Sequence, residues 1–300
     1  MLLAIPNFSE GRDAGRIAAL GQALTSTEHV SQLDVHSDPD HNRTVYTLAD
    51  LGAAPSANLA DAITSGAAKA IGLMDIHEQE GSHPRTGLLD VAPIVYMDES
   101  ERGPACAQAL TLADRLGHDL GIPTFLYGLL TDHRVTRAEI RRGGPTELQR
   151  RIDAGELTPD FGPNRLHPRA GAVLVSARPP LIAFNVELAP PATLQTAKQI
   201  AALIRAGGPE GLPGVRAIGL TLPHRAGVAQ VSTNVEDYRL TSLASLIAAI
   251  AKHATPLRAE VVGVPPRAAF EGFPDDLPVA NRRSLEDALK VAMSQRAHSD

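Results

Sequence analysis

The chain has 300 residues, 43% apolar and 21% charged, a mixture typical of a globular protein long enough for one large domain or two medium ones. The formal net charge is −6 without any run of basic residues, which disfavours nucleic acid as a partner. A membrane helix is not expected, because no segment reaches about 20 apolar residues. Cys106 is the single cysteine, so no intrachain disulfide can form; we expect its thiol to pack in a helix core and the protein to be cytoplasmic.

Strand and helix patterns alternate through the first half of the chain. Apolar runs or strict alternation predict strands, and apolar residues repeating every three or four positions predict helices. In chain order, the predicted elements are a strand in LLAIPNFS, a helix in DAGRIAALGQAL that begins at Asp13, strands in VSQLDVHS and RTVYTLAD around the loop DPDHN, a helix in SANLADAITSGAAKAIGLM capped by Ser56, a strand in LLDVAPIVYMD, a helix in PACAQALTLADRLGHDLG that ends at Gly121, and a strand in IPTFLYG. A polar, partly helical stretch follows.

The second half repeats a similar order of elements. These are strands in GAVLVSARPPLIAFNVEL, a helix in TLQTAKQIAALIRAGG, strands in GVRAIGLTLP and AGVAQVSTNVE, a helix in LTSLASLIAAIAKHA, a last strand in RAEVVGVPP, and a tail with at most one amphipathic helix. From about residue 181 the order is βαββαβ, the split βαβ arrangement. We therefore predict an α/β (α+β) fold of two lobes, residues 1–177 and 178–300, each built on this unit, with a ligand groove between them.

The loop GSHPRTG contains the first candidate functional group, His83. An imidazole exchanges protons near neutral pH, and Pro84 biases the preceding residue toward extended backbone, so a rigid His suits general acid–base chemistry. Arg85 could clamp a carboxylate with two parallel hydrogen bonds. The alternative is an ordinary surface loop in which Arg85 pairs with Asp90.

The loop SDPDHNRT concentrates five polar groups before a strand, at Asp38, Asp40, His41, Asn42 and Arg43. His and Asp are metal ligands, but the paired His/Cys spacing of a closed zinc site is absent, so we expect no metal. A plain hairpin loop would be equally rich in Asp and Asn. Contact with a small ligand and a structural loop therefore stay open as alternatives.

Two further segments carry polar groups at strand positions. Asn7, Ser9 and Glu10 follow the first strand and precede a helix, where Ser9 or Glu10 could simply cap the helix. In AQVSTN, Gln230, Ser232 and Asn234 alternate with apolar residues, which places them on one strand face, where they could bind a heterocycle or face solvent. The sequence has no glycine-rich phosphate loop, nucleophile elbow or paired-cysteine motif, which disfavours nucleotide enzymes and serine hydrolases.

Taken in order, these motifs resemble the glutamate formimidoyltransferase (formiminotransferase) family. The matching stretches are PNFSEGR, LDV followed by NRTVYT, HPRTGLLDVAP, GIPTFLYG, DFGP, LIAFNVEL and AQVSTN, which run from residue 3 to about 264. Several long motifs in one order are more specific than any single one. The resemblance concerns the transferase part, and the helical cyclodeaminase domain of the vertebrate enzymes has no counterpart in this chain.

The resemblance implies two α/β lobes with a folate-binding groove, a homodimer, and transfer of the formimino group from N-formimino-L-glutamate to tetrahydrofolate as co-substrate. The family's essential His falls on His83, assisted by an acid for which Asp38 and Asp40 are candidates. From residue type, Arg43 and Arg85 suit the carboxylates of glutamate. The further substrate-binding candidates are Asn7, Ser9, Glu10, His41, Asn42, Tyr127, Phe161, Gly162, Gln230, Ser232 and Asn234.

The chain departs from the family's usual residues at several of these motifs. His36 stands where vertebrate members have an acid, Ser82 precedes the essential His in place of Glu, and Arg169 replaces a common Trp. The alternatives are therefore a folate-dependent relative with another donor or with 5-formyltetrahydrofolate-handling activity, and a non-catalytic folate-binding protein. An enzyme that uses His83 as its proton carrier loses turnover without it, whereas a binding protein keeps its folate affinity.

Overall fold

A computed structural model describes residues 1–52, 56–81 and 84–297. The chain divides into two compact units, Met1–Pro179 and Pro180–Asp300, near the predicted lobe boundary. Each unit combines one β-sheet with α-helices and has its own hydrophobic core. The predicted α/β fold class is therefore confirmed, and the groove stays a prediction.

The first unit is built on a seven-stranded mixed sheet. Its elements are β1 (Leu2–Ala4), β2 (Asn7–Phe8), α1 (Ala14–Leu24), β3 (Val30–Asp38), β4 (Arg43–Asp50), α2 (Asn58–Leu73), β5 (Leu89–Tyr96), α3 (Arg102–His118), β6 (Thr124–Leu126), α4 (Arg137–Arg141), α5 (Gly144–Asp153) and β7 (Val173–Arg178). β3 pairs with β4, and β1 and β2 both lie between β4 and β5. β5, β7 and β6 run parallel, which extends an otherwise antiparallel sheet.

Alternation along β7 separates the two faces of this sheet. Val173 and Val175 point into a core formed with α1, α2 and α3, whereas Leu174 belongs to a smaller cluster with Ile140 of α4 and Leu148 of α5. Three helices therefore cover one face, and α4 and α5 cover part of the other. Cys106 packs against the larger core as expected, and burial raises the pKa of its thiol.

The second unit is a five-stranded sheet with helices on one face. Its elements are β8 (Ile182–Leu188), α6 (Leu194–Ile204), β9 (Val215–Leu222), β10 (Val228–Val235), α7 (Leu243–Ala251), β11 (Pro256–Val262), β12 (Val279–Ala280) and α8 (Leu285–Ala297). The strand order is β12-β11-β8-β10-β9, antiparallel except for β12 against β11. The predicted βαββαβ order is confirmed, and β12 is a short addition that the sequence pattern did not predict.

Two local predictions need correction. The predicted cap Ser56 is wrong, because α2 has Ala57 at its N-cap and the Ser56 hydroxyl donates to Asp50 at 2.7 Å. The first predicted strand is divided into β1 and β2 around Pro6, a residue that has no N–H for the sheet ladder. Other predictions are confirmed: Asp13 caps α1, and Gly121 lies just past α3 with φ +64°.

Candidate functional site

The loop between β3 and β4 is organised by the carboxylate of Asp38. Its Oδ1 accepts hydrogen bonds from the backbone N–H groups of Asp40 and His41 at 2.8 and 2.9 Å. Its Oδ2 lies 3.0 Å from Nδ1 of the His41 ring. Burial alone would raise the pKa of Asp38, but the bonds from His41 and Asp40 outweigh it and lower the pKa to about 2. Asp38 is therefore a carboxylate that fixes this loop.

Asn42 connects this loop to two neighbouring segments. Its side-chain oxygen accepts from the backbone N–H of Gly11 at 2.8 Å, and its amide nitrogen donates to Oε1 of Gln79 at 3.1 Å. The residue has φ +47°, a left-handed conformation that Asn tolerates better than most residues. Both ends of a buried side chain are thus used to hold three loops together.

Ser82 and His83 lie outside the described residues, but the chain on either side of them is defined. A Cβ on Gly81 would lie 2.4 Å from the carbonyl oxygen of His41, so the backbone there requires a glycine. Arg85 donates to the same carbonyl oxygen at 3.0 Å, and burial lowers its pKa. The segment that contains His83 is therefore anchored at both ends on the β3–β4 loop.

β2 and the two residues after it add three predicted residues to this region. The Ser9 hydroxyl donates to the carbonyl oxygen of Gly87 at 2.8 Å, and the Asn7 side-chain oxygen accepts from Arg43. Glu10 accepts from the backbone N–H groups of Arg12 and Asp13 at the start of α1, at 2.9 and 3.0 Å. The N-cap of α1 is Asp13, so the alternative that Ser9 or Glu10 caps this helix is wrong, and the part of Glu10 in substrate binding stays a prediction.

Asp90 lies at a β-bulge in β5. Asn7 is opposite Val91 and Phe8 is opposite Leu89, so Asp90 has no opposite residue on β2. Bulges re-aim a side chain out of the regular alternation. One carboxylate oxygen of Asp90 accepts from the backbone N–H and the hydroxyl of Thr86, at 2.9 and 3.1 Å, and the other forms an ion pair with Arg141.

These side chains surround one narrow cleft in the first unit. Its lining residues are Ser9, His41, Asn42, Arg43, Arg85 and Asp90. Burial lowers the pKa of Arg43 to about 10; Asp90 opposes this shift, and the nearby guanidinium groups of Arg141 and Arg137 add to it. The cleft thus combines two predicted cationic groups with a buried carboxylate, next to the anchored segment that contains His83.

Arg137 and Arg141 are two residues near the cleft that sequence reasoning missed. Both belong to the segment VTRAEIRR, in which Thr136 and Glu139 form a capping box. Their spacing of four residues puts them on one side of α4, and that pattern behind a capping box was the available signal. The Arg137 guanidinium lies 5.7 Å from the centre of the Tyr127 ring, so Tyr127 is close to the cleft residues.

The structure separates Phe161 and Gly162 from this group. Tyr127 belongs to the cluster under α4 and α5, whereas Phe161 packs against the core on the other face of the sheet. The Phe161 carbonyl accepts from the N–H of Thr124 at 2.9 Å, and Gly162 lies against Gly117 of α3. Their contacts are those of a packed loop, and their part in ligand binding stays a prediction.

The predicted polar row on β10 lies in the second unit. Gln230 is opposite Glu187 on β8, and Ser232 is opposite Asn185, so the row continues across two strands. Gln230 is only 1% exposed and Glu187 3%, which excludes a solvated sheet face at this point. Arg225 lies 3.1 Å from the Glu187 carboxylate. Glu187 and Asn185 are further polar residues that the sequence pattern did not single out.

Metal sites and membrane spans are absent from the part of the chain that the structure describes. No group of three or more His, Cys, Asp or Glu side chains in residues 1–52, 56–81 and 84–297 could hold a metal ion. Over the same residues, no helix has both the length and the apolar character needed to cross a bilayer.

Family models and known relatives define the class of this protein. A family model described as the N-terminal subdomain of the formiminotransferase domain matches residues 1–178, and a second, described as the formiminotransferase domain, matches residues 183–265. The two matched ranges fall on the two compact units, one sheet in each.

Relatives of known name extend over most of the chain. The glutamate formimidoyltransferase of Thermoplasma acidophilum is 34% identical over 275 residues, which cover 89% of this chain and 88% of the relative. That of Streptococcus pyogenes is 33% identical, with 89% of each chain covered. The formimidoyltransferase-cyclodeaminase of Sus scrofa is 36% identical, but the chain spans only 48% of its length. The chain belongs to the formiminotransferase family, which confirms the resemblance; it spans about half the length of the formimidoyltransferase-cyclodeaminases it matches.

Proposed function

We propose that the protein transfers the formimino group of N-formimino-L-glutamate to N5 of tetrahydrofolate, releasing L-glutamate. The observation that carries the proposal is the cleft of the first unit, where the anchored ends of the His83 segment meet Arg43 and Arg85. Near-complete coverage of two relatives named glutamate formimidoyltransferase supports it.

In this reaction the N5 lone pair of tetrahydrofolate forms a bond to the formimino carbon, and His83 accepts the N5 proton. The bond between that carbon and the glutamate nitrogen then breaks, as His83 returns the proton to the departing nitrogen. One imidazole serves as base and then as acid, because its ordinary pKa lies near neutral pH. Fixed hydrogen-bond donors stabilise the tetrahedral intermediate between the two steps.

The cleft residues divide into groups that hold the loop and groups that face the substrate. Arg43 and Arg85 bind the carboxylates of the donor, because a guanidinium pairs with a carboxylate through two parallel hydrogen bonds. Asp38 accepts hydrogen bonds within its own β3–β4 loop, and Asn42 bonds to two neighbouring segments, so both position the loop next to the His83 segment rather than contact the donor. Asp40 and His41 remain candidates for the acid that assists His83 and for substrate contact.

The pterin ring of folate requires donors and acceptors along one edge. Within the second unit, the row of Gln230, Ser232 and Asn234 offers amide and hydroxyl groups for this edge. A homodimer and a cytoplasmic location complete the proposal; light scattering of the purified protein tests the first and cell fractionation the second.

The test is formation of 5-formiminotetrahydrofolate from the two purified substrates, by wild type and His83→Ala. The matched control is His77→Ala, an exposed His in the same connecting segment. Turnover that survives in the control and is lost in His83→Ala supports the proposal. Folate binding without turnover in wild type contradicts it and favours a binding protein; turnover with 5-formyltetrahydrofolate but not with the formimino donor favours the altered relative.

A further inference from the structure

The region beside the cleft contains more arginine side chains than the proposed reaction requires. Arg43 begins β4, Arg137 and Arg141 lie four residues apart on α4, and Arg178 ends β7. We call these four residues the arginine cluster. Arg141 of this cluster forms an ion pair with Asp90.

Two members of the cluster, Arg137 and Arg178, contact an aromatic ring and a backbone carbonyl rather than a carboxylate. Arg137 stacks over the Tyr127 ring, and Arg178 donates to the backbone carbonyl of Pro179 at 3.0 Å. Within the part of the chain that the structure describes, neither guanidinium forms an ion pair with a carboxylate. The Nε atom of Arg141 is buried and has no hydrogen-bond partner among those residues.

Such an arrangement is unfavourable for the protein alone. Removing a cation from water costs free energy unless an opposite charge or hydrogen bonds replace the water, and like charges repel most strongly where water is scarce. Burial, together with the neighbouring Arg137, lowers the pKa of Arg178 to about 10, although Tyr127 opposes this shift. A cluster held in this state attracts anions.

The helix that carries Arg137 and Arg141 is also held in place by contacts within the protein. The capping box of Thr136 and Glu139 sets the start of α4, and Ile140 packs in the core beneath it. Arg151 of α5 donates to the backbone carbonyl of Glu139 at 2.9 Å, which ties the two helices together. Preorganised guanidinium groups lose little side-chain entropy on binding a carboxylate.

We propose that Arg137 and Arg141, together with Arg43, form a subsite for the two carboxylates of an N-substituted glutamate. This proposal rests on the proposed function and adds the side chains that select a dicarboxylate. Both substrates of that reaction contain this chemical group: the donor is an N-formimino glutamate, and the folate tail is an N-acyl glutamate. Arg137 and Arg141 lie four residues apart on α4, so their two guanidinium groups suit a ligand with two separated carboxylates better than one with a single carboxylate.

The test compares Arg137→Gln and Arg137→Lys with Arg142→Gln, an arginine at the end of the same helix that serves as a control for charge. Kinetics are measured with N-formimino-L-glutamate, tetrahydrofolate and tetrahydropteroate, which lacks the glutamate. Loss of one charged hydrogen bond predicts a KM about 10- to 100-fold higher for Arg137→Gln, a smaller rise for Arg137→Lys, and none for Arg142→Gln.

The pattern of KM values identifies the source of the glutamate. A rise for the donor alone assigns the subsite to the donor, and a rise for tetrahydrofolate but not for tetrahydropteroate assigns it to the folate tail. If Arg137→Gln does not fold, Arg137→Lys is read in the same way. KM values unchanged in both Arg137 variants overturn the proposal.

Binding without turnover separates this subsite from the proposed function. N-acetyl-L-glutamate, an unreactive dicarboxylate, is expected to raise the melting temperature of wild type more than N-acetyl-L-glutamine does. That preference is expected to disappear in Arg137→Gln and to persist in Arg142→Gln. If wild type transfers no formimino group but still prefers N-acetyl-L-glutamate, the proposed function fails and the subsite is supported. If wild type shows no preference for N-acetyl-L-glutamate, the subsite proposal is overturned.

Discussion

A substitution at Asp38 tests whether this carboxylate has a structural or a catalytic role. The residue falls in the motif where an assisting acid is expected, yet its oxygens accept from the N–H groups of Asp40 and His41 and face the His41 ring. The substitution Asp38→Asn keeps the size and one acceptor oxygen but removes the charge. We expect it to loosen the β3–β4 loop and to destabilise the folded protein.

The size of the effect follows from the pKa of Asp38, which is lowered from 3.8 to about 2. A carboxylate whose pKa is lower in the folded than in the unfolded state stabilises the fold above its unfolded pKa. That contribution is lost as the pH falls from about 3.8 through 2, because the proton then binds in both states. The shift corresponds to about 2 kcal/mol at neutral pH, and the carboxylate, 20% exposed, is little screened by solvent.

The assay is urea denaturation of wild type and Asp38→Asn between about pH 2.5 and 7, followed by circular dichroism. The difference in unfolding free energy is expected to be about 2 kcal/mol at pH 7 and to shrink steadily below about pH 4. Asp98→Asn, an exposed carboxylate that accepts from the N–H of Ser100, is the control and is expected to show a smaller difference.

Activity measurements distinguish the two roles of Asp38. A loop-fixing carboxylate lowers turnover through misplacement of the His83 segment and leaves the pH at half-maximal turnover unchanged. A difference in stability that is absent at neutral pH, or that does not change with pH, refutes the loop-fixing role. A shifted pH profile at full stability assigns Asp38 to proton transfer instead.

Three further substitutions test the frame of the site. Asn42→Ala removes two hydrogen bonds and places an alanine at φ +47°, so urea denaturation is expected to show a loss of about 2 to 3 kcal/mol. Gly117→Ala puts a Cβ 2.6 Å from the backbone nitrogen of Gly162 and is expected to cost about 1 to 3 kcal/mol, whereas Gly103→Ala on the same helix meets open space and should not destabilise. Thr136→Ala breaks the capping box, and faster amide exchange in α4, with a loss of about 1 kcal/mol, is expected; unchanged exchange would show that the cap does not hold the helix.

Much of the fold follows from local patterns because apolar periodicity and turn residues act over short stretches of chain. The βαββαβ order of the second unit could be predicted since glycines follow α6 and the strands have clear apolar runs. The helix cap at Ala57 could not, because Ser56 bonds to Asp50, at the end of a strand that only the folded sheet places there. The two-residue β12 is too short to carry any periodic signal.

The site was predictable where functional groups share one loop and not where the fold assembles them. The residues of SDPDHNRT are neighbours in sequence, so their concentration is apparent from the order of the residues alone. Arg141 reaches Asp90 from 51 residues away, and Glu187 meets Gln230 only through strand pairing. Residue type alone also could not tell that Phe161 and Tyr127 lie on opposite faces of the sheet.

The bulge at Asp90 makes the cleft sensitive to the length of the chain. Removal of Asp90, the one residue between Leu89 and Val91, would restore an uninterrupted ladder between β2 and β5. That repair would turn the remaining side chains to the opposite faces, since alternation reverses with each residue. Gaps and insertions at this point are therefore far less tolerable than amino-acid replacements, and an engineered or divergent copy with an altered spacing here would keep its sheet while losing the Asp90–Arg141 pair.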